Sequence, residues 1–137
     1  MGHQQDTGST VIYEFVKPPE TVYTWTELGT ILVFRGLVGI DLDNYMQRIL
    51  MKPQSAAQRA TIELRTERLG GHYRNSRIFV LHGSGYPDGT SETQVQLLVQ
   101  GKEGLYNIQR TKRTADLDDA TVSSWVKFLQ TARIEWR

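Results

Sequence analysis

The chain has 137 residues, of which 39% are hydrophobic and 23% charged, with no cysteine and a net charge of +1. This length suits one domain with its own core, and the missing cysteines exclude a disulfide scaffold, a thiolate metal site and a cysteine nucleophile. The near-neutral charge gives no global electrostatic reason to bind nucleic acid or a membrane. The longest apolar run, residues 31–40, contains Arg35 and has about half the length that a membrane-spanning helix needs.

The first nine residues are polar and predict a flexible tail, followed by a single domain over residues 10–137. They contain no basic stretch followed by an apolar one, so we expect no retained signal peptide. The absence of a signal and of cysteine favours a cytoplasmic protein, or an organellar one from which a transit segment has been removed.

Three strands are predicted before the first helix. Residues 10–16 alternate apolar and polar side chains and stop at two prolines, which cannot donate to a β-ladder. Residues 21–26 and 30–35 are rich in β-formers and are separated by Gly29. This pattern predicts a hairpin with its turn near Gly29.

A helix is predicted to begin at Asp41, a good N-cap residue. Its apolar side chains recur at the 3.6-residue period of one helix face, namely Leu42, Tyr45, Met46, Ile49 and Leu50. Pro53 interrupts this helix, and residues 54–60 are predicted to restart it.

The last 77 residues predict a four-stranded antiparallel meander followed by an amphipathic helix. The strands are residues 61–68, 76–82, 93–100 and 105–113, and the helix begins at Asp116 or Asp118 and carries Val122, Trp125, Val126, Leu129 and Ala132. Residues 61–68 also suit a helix, but their alternation and the following Gly70-Gly71 favour a strand. The predicted fold is α+β, with the order β-β-β-α-β-β-β-β-α, a single antiparallel sheet, one helix on one face and the other helix on another face or edge.

The charges are uneven along the chain. Residues 58–113 hold nine basic against five acidic side chains, a local excess of +4. We predict that a protein partner binds to an exposed sheet face carrying Arg65, Tyr73, Arg74, Arg77, Tyr106, Arg110 and Lys112. The alternative is a solvated strand face whose arginines pair with Glu63 and Glu67.

No pattern of residues predicts catalysis, a metal or a cofactor. The three histidines, at positions 3, 72 and 82, lack the short spacing of a zinc site. The aspartates at 116, 118 and 119 suit the positive end of a helix dipole, and the glycines of 83–89 lead into a strand, whereas a phosphate-binding loop leads into a helix. We therefore expect no catalytic residue, no bound metal and no cofactor.

Several short motifs, in this order, resemble the superfamily of small α/β/α proteins that includes PsbP, Mog and DcrB. They are Pro18-Pro19 with Trp25, LVFR at 32–35, DLDNYMQRIL at 41–50, HYRNSRIFV at 72–80, QLLVQGKEGLYNIQR at 96–110 and LQTARI at 129–134. The chain departs from the lipoprotein branch because it has no lipobox cysteine, and its first hairpin is shorter than the family's.

The resemblance implies a non-catalytic protein that binds a partner protein, and within the superfamily we favour a chaperone of secreted effectors, of the Eag type. The alternatives are an accessory subunit of a larger complex, resembling PsbP or a Tim21-like domain, and a small enzyme with a pocket between helix and sheet. A homodimer is compatible with each of these.

Overall fold

The computed structural model describes residues 2–51, 59–67 and 75–133 and has the α+β order that the sequence predicts. The strands are β1 His3–Asp6, β2 Thr10–Val16, β3 Glu27–Arg35, β4 Arg59–Leu64, β5 Ser76–Ser84, β6 Glu92–Gln100 and β7 Gly104–Lys112, and the helices are α1 Leu42–Met51 and α2 Asp119–Gln130. In the described ranges, neither helix is long and apolar enough to cross a bilayer.

The seven strands form one antiparallel sheet in the order β1-β2-β3-β7-β6-β5-β4. Strands β4 to β7 are the predicted meander. The N-terminal strands join it through β3 and β7, which pair with Ile31 opposite Ile108. The chain therefore passes from the middle of the sheet to its far edge between β3 and β4, through the segment that contains α1.

One face of the sheet, which we call the α2 face, packs against α2. Alternate side chains of β5 and β6 point to it because successive residues of a strand face opposite sides. The buried members of this core are Ile78, Val80, Val95, Leu97, Val99, Val122, Trp125, Val126 and Leu129. The four helix residues are those predicted from the 3.6-residue period, so the predicted packing of the closing helix is confirmed.

The opposite face, the α1 face, packs against α1. Its buried core comprises Leu42, Met46, Phe79, Leu81, Leu98 and Leu105. The predicted cap at Asp41 is confirmed, because its carboxylate accepts a hydrogen bond from the Asn44 amide at 3.0 Å. Each face of the sheet thus carries one helix.

The predicted strand over residues 21–26 is wrong: this segment forms turns. Its threonines bond locally, with the Thr21 amide donating to the Thr24 hydroxyl at 3.2 Å, and the Glu20 carboxylate accepts from the Thr26 amide at 3.1 Å. Such side-chain bonds compete with a ladder. Gly29 consequently lies inside β3 and not in a hairpin turn.

The segment predicted to be a flexible tail contains β1, which pairs with β2 from His3 opposite Glu14 to Asp6 opposite Val11. The Asp6 carboxylate also forms an ion pair with the Arg35 guanidinium at 2.9 Å. A contact between residues distant in sequence thus holds in place a strand that has no apolar pattern of its own. At β4, the predicted strand is confirmed for residues 61–64, whereas residues 59–60, the end of the predicted helix restart, also belong to this strand, so the helix prediction is wrong there. Residues 54–58 of that predicted helix and the Gly70-Gly71 turn lie outside the described residues.

Asp118, the N-cap residue of α2, allows a prediction about the pH dependence of stability. The Asp118 carboxylate accepts from the Thr121 amide at 2.8 Å, and this bond lowers the pKa of Asp118 below its ordinary 3.8. A lowered folded-state pKa stabilises the fold above the unfolded-state pKa, and this stabilisation is lost as the pH falls through the folded value. Asp118→Ala should lower the urea midpoint at pH 7, and the difference from wild type should shrink below pH 3.8. A pH-independent difference would contradict this.

The packing of α2 generates a second prediction. Trp125 is 4% exposed in the core of the α2 face, and truncating such an aromatic side chain removes its contacts and leaves a cavity. Trp125→Ala should lower the free energy of unfolding in urea by about 3–5 kcal/mol. Ser124→Ala, at the exposed neighbouring position, is the matched control and should change it little. A loss under about 1 kcal/mol for Trp125→Ala would contradict the packing.

Candidate partner-binding groove

A hollow in the α2 face lies where three neighbouring strands meet. The register places Phe15 of β2 opposite Gly29 of β3, and Gly29 opposite Arg110 of β7. The middle position of this row has no side chain. A Cβ atom added to Gly29 would find only atoms of Phe15 among its nearest neighbours, the closest at 3.6 Å. The glycine therefore opens the sheet surface between an aromatic ring and a guanidinium.

This hollow is the floor of a groove of about 580 Å³ beside the C-terminal turn of α2. Ile31 and Ile108 extend the floor, and Phe128 and Leu129 form the helix wall. The side chains of Phe15 and Phe128 are 41% and 58% exposed. The groove is thus a mainly apolar surface with two half-exposed aromatic rings, of a size that is typical of ligand-binding sites.

Arg110 is held rigidly at the edge of this groove. Its guanidinium carbon lies 4.6 Å from the centroid of the Trp125 ring and 5.6 Å from that of Phe128. Its Nε and Nη2 atoms donate to Glu27 Oε1 at 2.9 and 2.7 Å. Cation–π contacts and a charge-assisted pair act on the same planar group. They orient the wall of the groove without a ligand.

The predicted partner-binding residues do not all share one face. The register places Arg65, Tyr106, Arg110 and Lys112 on the α2 face. Arg77 lies on the α1 face, where its Nε donates to Asp43 of α1 at 2.9 Å. The predicted single binding face containing both Arg77 and Arg110 is therefore wrong, because Arg77 stands opposite Leu98 of the α1 face and Arg110 stands opposite Val95 of the α2 face. Tyr73 and Arg74 lie outside the described residues.

In the alternative interpretation the arginines pair with Glu63 and Glu67 across strands; Arg65 does pair with these residues, but both lie on its own segment of the chain. Its guanidinium lies 2.8 Å from Glu67 and 3.8 Å from Glu63. Lys112 is exposed and stands opposite Glu27 in the register of β3 and β7, and Tyr106 packs partly against the core of the α2 face. Whether these residues touch a partner remains a prediction.

The α1 face carries a row of hydrogen-bonded amides, of which Gln96 and Asn107 are buried. The Gln94 side chain donates to Glu92 at 3.1 Å, Gln96 to Gln94 at 2.6 Å and Asn107 to Gln96 at 3.0 Å. Because a carboxylate only accepts, Glu92 orients every amide of the row in one direction. Asn107 is 2% exposed, and its Oδ1 atom has no hydrogen-bond partner among the described residues.

The remaining polar residues that the sequence offered as candidates for catalysis or metal binding have the following positions. His82 lies 3.5 Å from the Thr93 hydroxyl and His72 falls outside the described residues. Asp118 caps α2, as the sequence predicts for the acidic residues there. Within residues 2–51, 59–67 and 75–133, no three histidine or acidic side chains converge in a way that could hold a metal ion.

Comparisons with known proteins show the fold only. No family model matches the chain, and neither does any curated protein. Among solved structures, the chain is similar to PA94 from Pseudomonas aeruginosa, a protein of unknown function described as a candidate regulator. The identity is 14% and the TM-score 0.52, over 97% of this chain and 87% of that one.

The sequence pattern does not predict the groove, because it places the central residue, Gly29, in a turn. A glycine inside a strand marks a bulge, a bend or a close approach, and Gly29 is flanked by Leu28 and by Thr30-Ile31, which suit a continuous strand. That continuity was the available signal. The identity of the neighbours, Phe15 and Arg110, depends on the pairing of β2 and β7 with β3.

Two strand glycines should respond to alanine in opposite ways. Gly29 has room for a Cβ atom, whereas a Cβ on Gly104 would lie 2.5 Å from the Phe34 carbonyl oxygen, which is backbone and cannot move aside. Glycine costs about 0.5–1 kcal/mol relative to alanine inside a strand. Gly29→Ala should therefore raise the free energy of unfolding in urea by about that amount, and Gly104→Ala should lower it. Destabilisation by both would show that the hollow over Gly29 is closed.

Proposed function

We propose that the protein is a non-catalytic adaptor or chaperone that binds an apolar segment of a protein partner in the groove over Gly29. The observation that carries this proposal is the exposure of Phe15 and Phe128, which line the same groove as the strand glycine Gly29. Contiguous exposed apolar surface on a folded protein marks interaction sites and ligand-binding grooves. Aromatic and arginine side chains also supply most of the binding energy of protein interfaces.

The groove is prepared for binding because its wall is ordered in advance. Trp125 anchors α2 in the core, and Arg110 connects that ring to Glu27 across the groove floor. Little free energy is therefore lost in ordering this wall when a partner binds, which favours high affinity. The resemblance of the chain to Eag-type proteins supports a secreted effector as the partner.

The test is capture of the partner by the tagged full chain from a native lysate of the source organism, with identification by mass spectrometry. Gly29→Leu fills the hollow, and Phe128→Glu places a charge on the helix wall. Val38→Glu is the matched control, because Val38 is 53% exposed and does not line the groove.

We expect capture of one stoichiometric protein by wild type and by Val38→Glu, and a loss of about tenfold or more for both groove variants, as hot-spot substitutions produce. Unchanged melting temperatures would show that the variants fold. Equal capture by Gly29→Leu would remove the groove as the binding surface. A small molecule that copurifies and is lost in the same variants would favour a ligand pocket.

A further inference from the structure

One charged side chain that lines the groove forms no ion pair among the described residues. Three charged side chains line it, namely Lys17, Glu27 and Arg110. Glu27 and Arg110 pair with each other at 2.7 Å, and Arg110 is also covered by two rings. Lys17 is exposed and takes part in no ion pair among the described residues. The three lining charges therefore sum to one positive charge, and the Glu20 carboxylate, which interacts electrostatically with Lys17, is not among the residues that line the groove.

The position of this charge relative to the hollow follows from the strand. Phe15 borders the hollow over Gly29, and Lys17 follows two residues later, just past the end of β2. Alternate residues of an extended chain lie on the same face about 7 Å apart. This spacing applies to Phe15, which borders the hollow, and Lys17.

The apolar surface continues beyond the hollow in the other direction. Tyr13, Ile31 and Val33 share the α2 face with Phe15 by register and are half-buried. No helix of the described residues packs on this part of the sheet, since the α2 core is built on β5 and β6 with partial contributions from β7. The open strip extends over several residues of two strands. Its length suits a helical peptide segment of several turns.

We infer that the partner segment is a helix with a large apolar side chain that enters the hollow over Gly29 and a carboxylate one turn away that meets Lys17. Side chains at positions i and i+4 of a helix are about 5–6 Å apart, close to the spacing of about 7 Å between Phe15 and Lys17 along the chain. The acidic residue therefore sets the direction of the segment in the groove. This inference rests on the proposed function and deepens it.

The test uses two synthetic, fluorescein-labelled 18-residue helical peptides that are rich in leucine and alanine and contain one phenylalanine. One has glutamate four residues after the phenylalanine, and the other has lysine there. Fluorescence anisotropy measures their binding to the full chain at low and high salt. The variants are Lys17→Glu, Gly29→Leu and the control Lys102→Glu, which reverses an exposed charge outside the groove.

We expect the glutamate peptide to bind wild type about fivefold more tightly than the lysine peptide, because an exposed pair contributes up to about 1 kcal/mol. High salt should remove this preference. Lys17→Glu should reverse it, Lys102→Glu should preserve it, and Gly29→Leu should weaken both peptides.

Equal binding of the two peptides, with loss of both in Gly29→Leu, would overturn the inference about the carboxylate and leave the proposed groove intact. Binding that survives Gly29→Leu, or failure of both peptides to bind, would count against the groove itself. A preference that persists in Lys17→Glu would assign the charge recognition to another residue.

Discussion

The pairing of β3 with β7 is the constraint on which the rest of the structure depends. It joins a short N-terminal meander to the C-terminal one and makes a single seven-stranded sheet. Neither meander alone contains the groove, because Phe15 comes from β2 and Arg110 from β7, with Gly29 between them. A shift of one residue would turn Arg110 to the other face of the sheet, away from Trp125 and Phe128.

The same pairing explains how one arginine serves both the fold and the candidate site. Arg110 stacks on Trp125, whose ring is buried, and on Phe128, whose ring is largely exposed. It also pairs with Glu27 of the strand beside it. The group therefore connects the core to the groove wall. Its charge is neutralised within the protein by Glu27.

The two faces of the sheet differ in the side chains that lie outside their helix-packed cores. Beyond α2, the α2 face is apolar and half-exposed at Tyr13 and Ile31. On the α1 face, by contrast, a directional row of amides runs from Glu92 to Asn107, whose Oδ1 atom has no partner among the described residues. A hydrogen-bonded amide row constrains register, because each member must meet its neighbour. The apolar face is thus the better candidate for binding, and the amide row for specifying the sheet.

The sequence by itself determined the elements whose patterns are local. The apolar period of Val122, Trp125, Val126 and Leu129, the caps at Asp41 and Asp118, and the alternation of the last four strands predicted α2, α1 and the meander. These signals depend on neighbours within a few residues along the chain.

Only the tertiary structure decided the features that depend on distant partners. β1 has no apolar pattern and forms a strand because it pairs with β2. Residues 21–26 are rich in β-formers, but they form turns that local side-chain hydrogen bonds stabilise. Strand register placed Arg77 and Arg110 on opposite faces and set Gly29 between Phe15 and Arg110. The physical reason is that a local pattern specifies which side chains of a strand point to each face of the sheet. The strands that pair with it are determined by contacts far away in sequence.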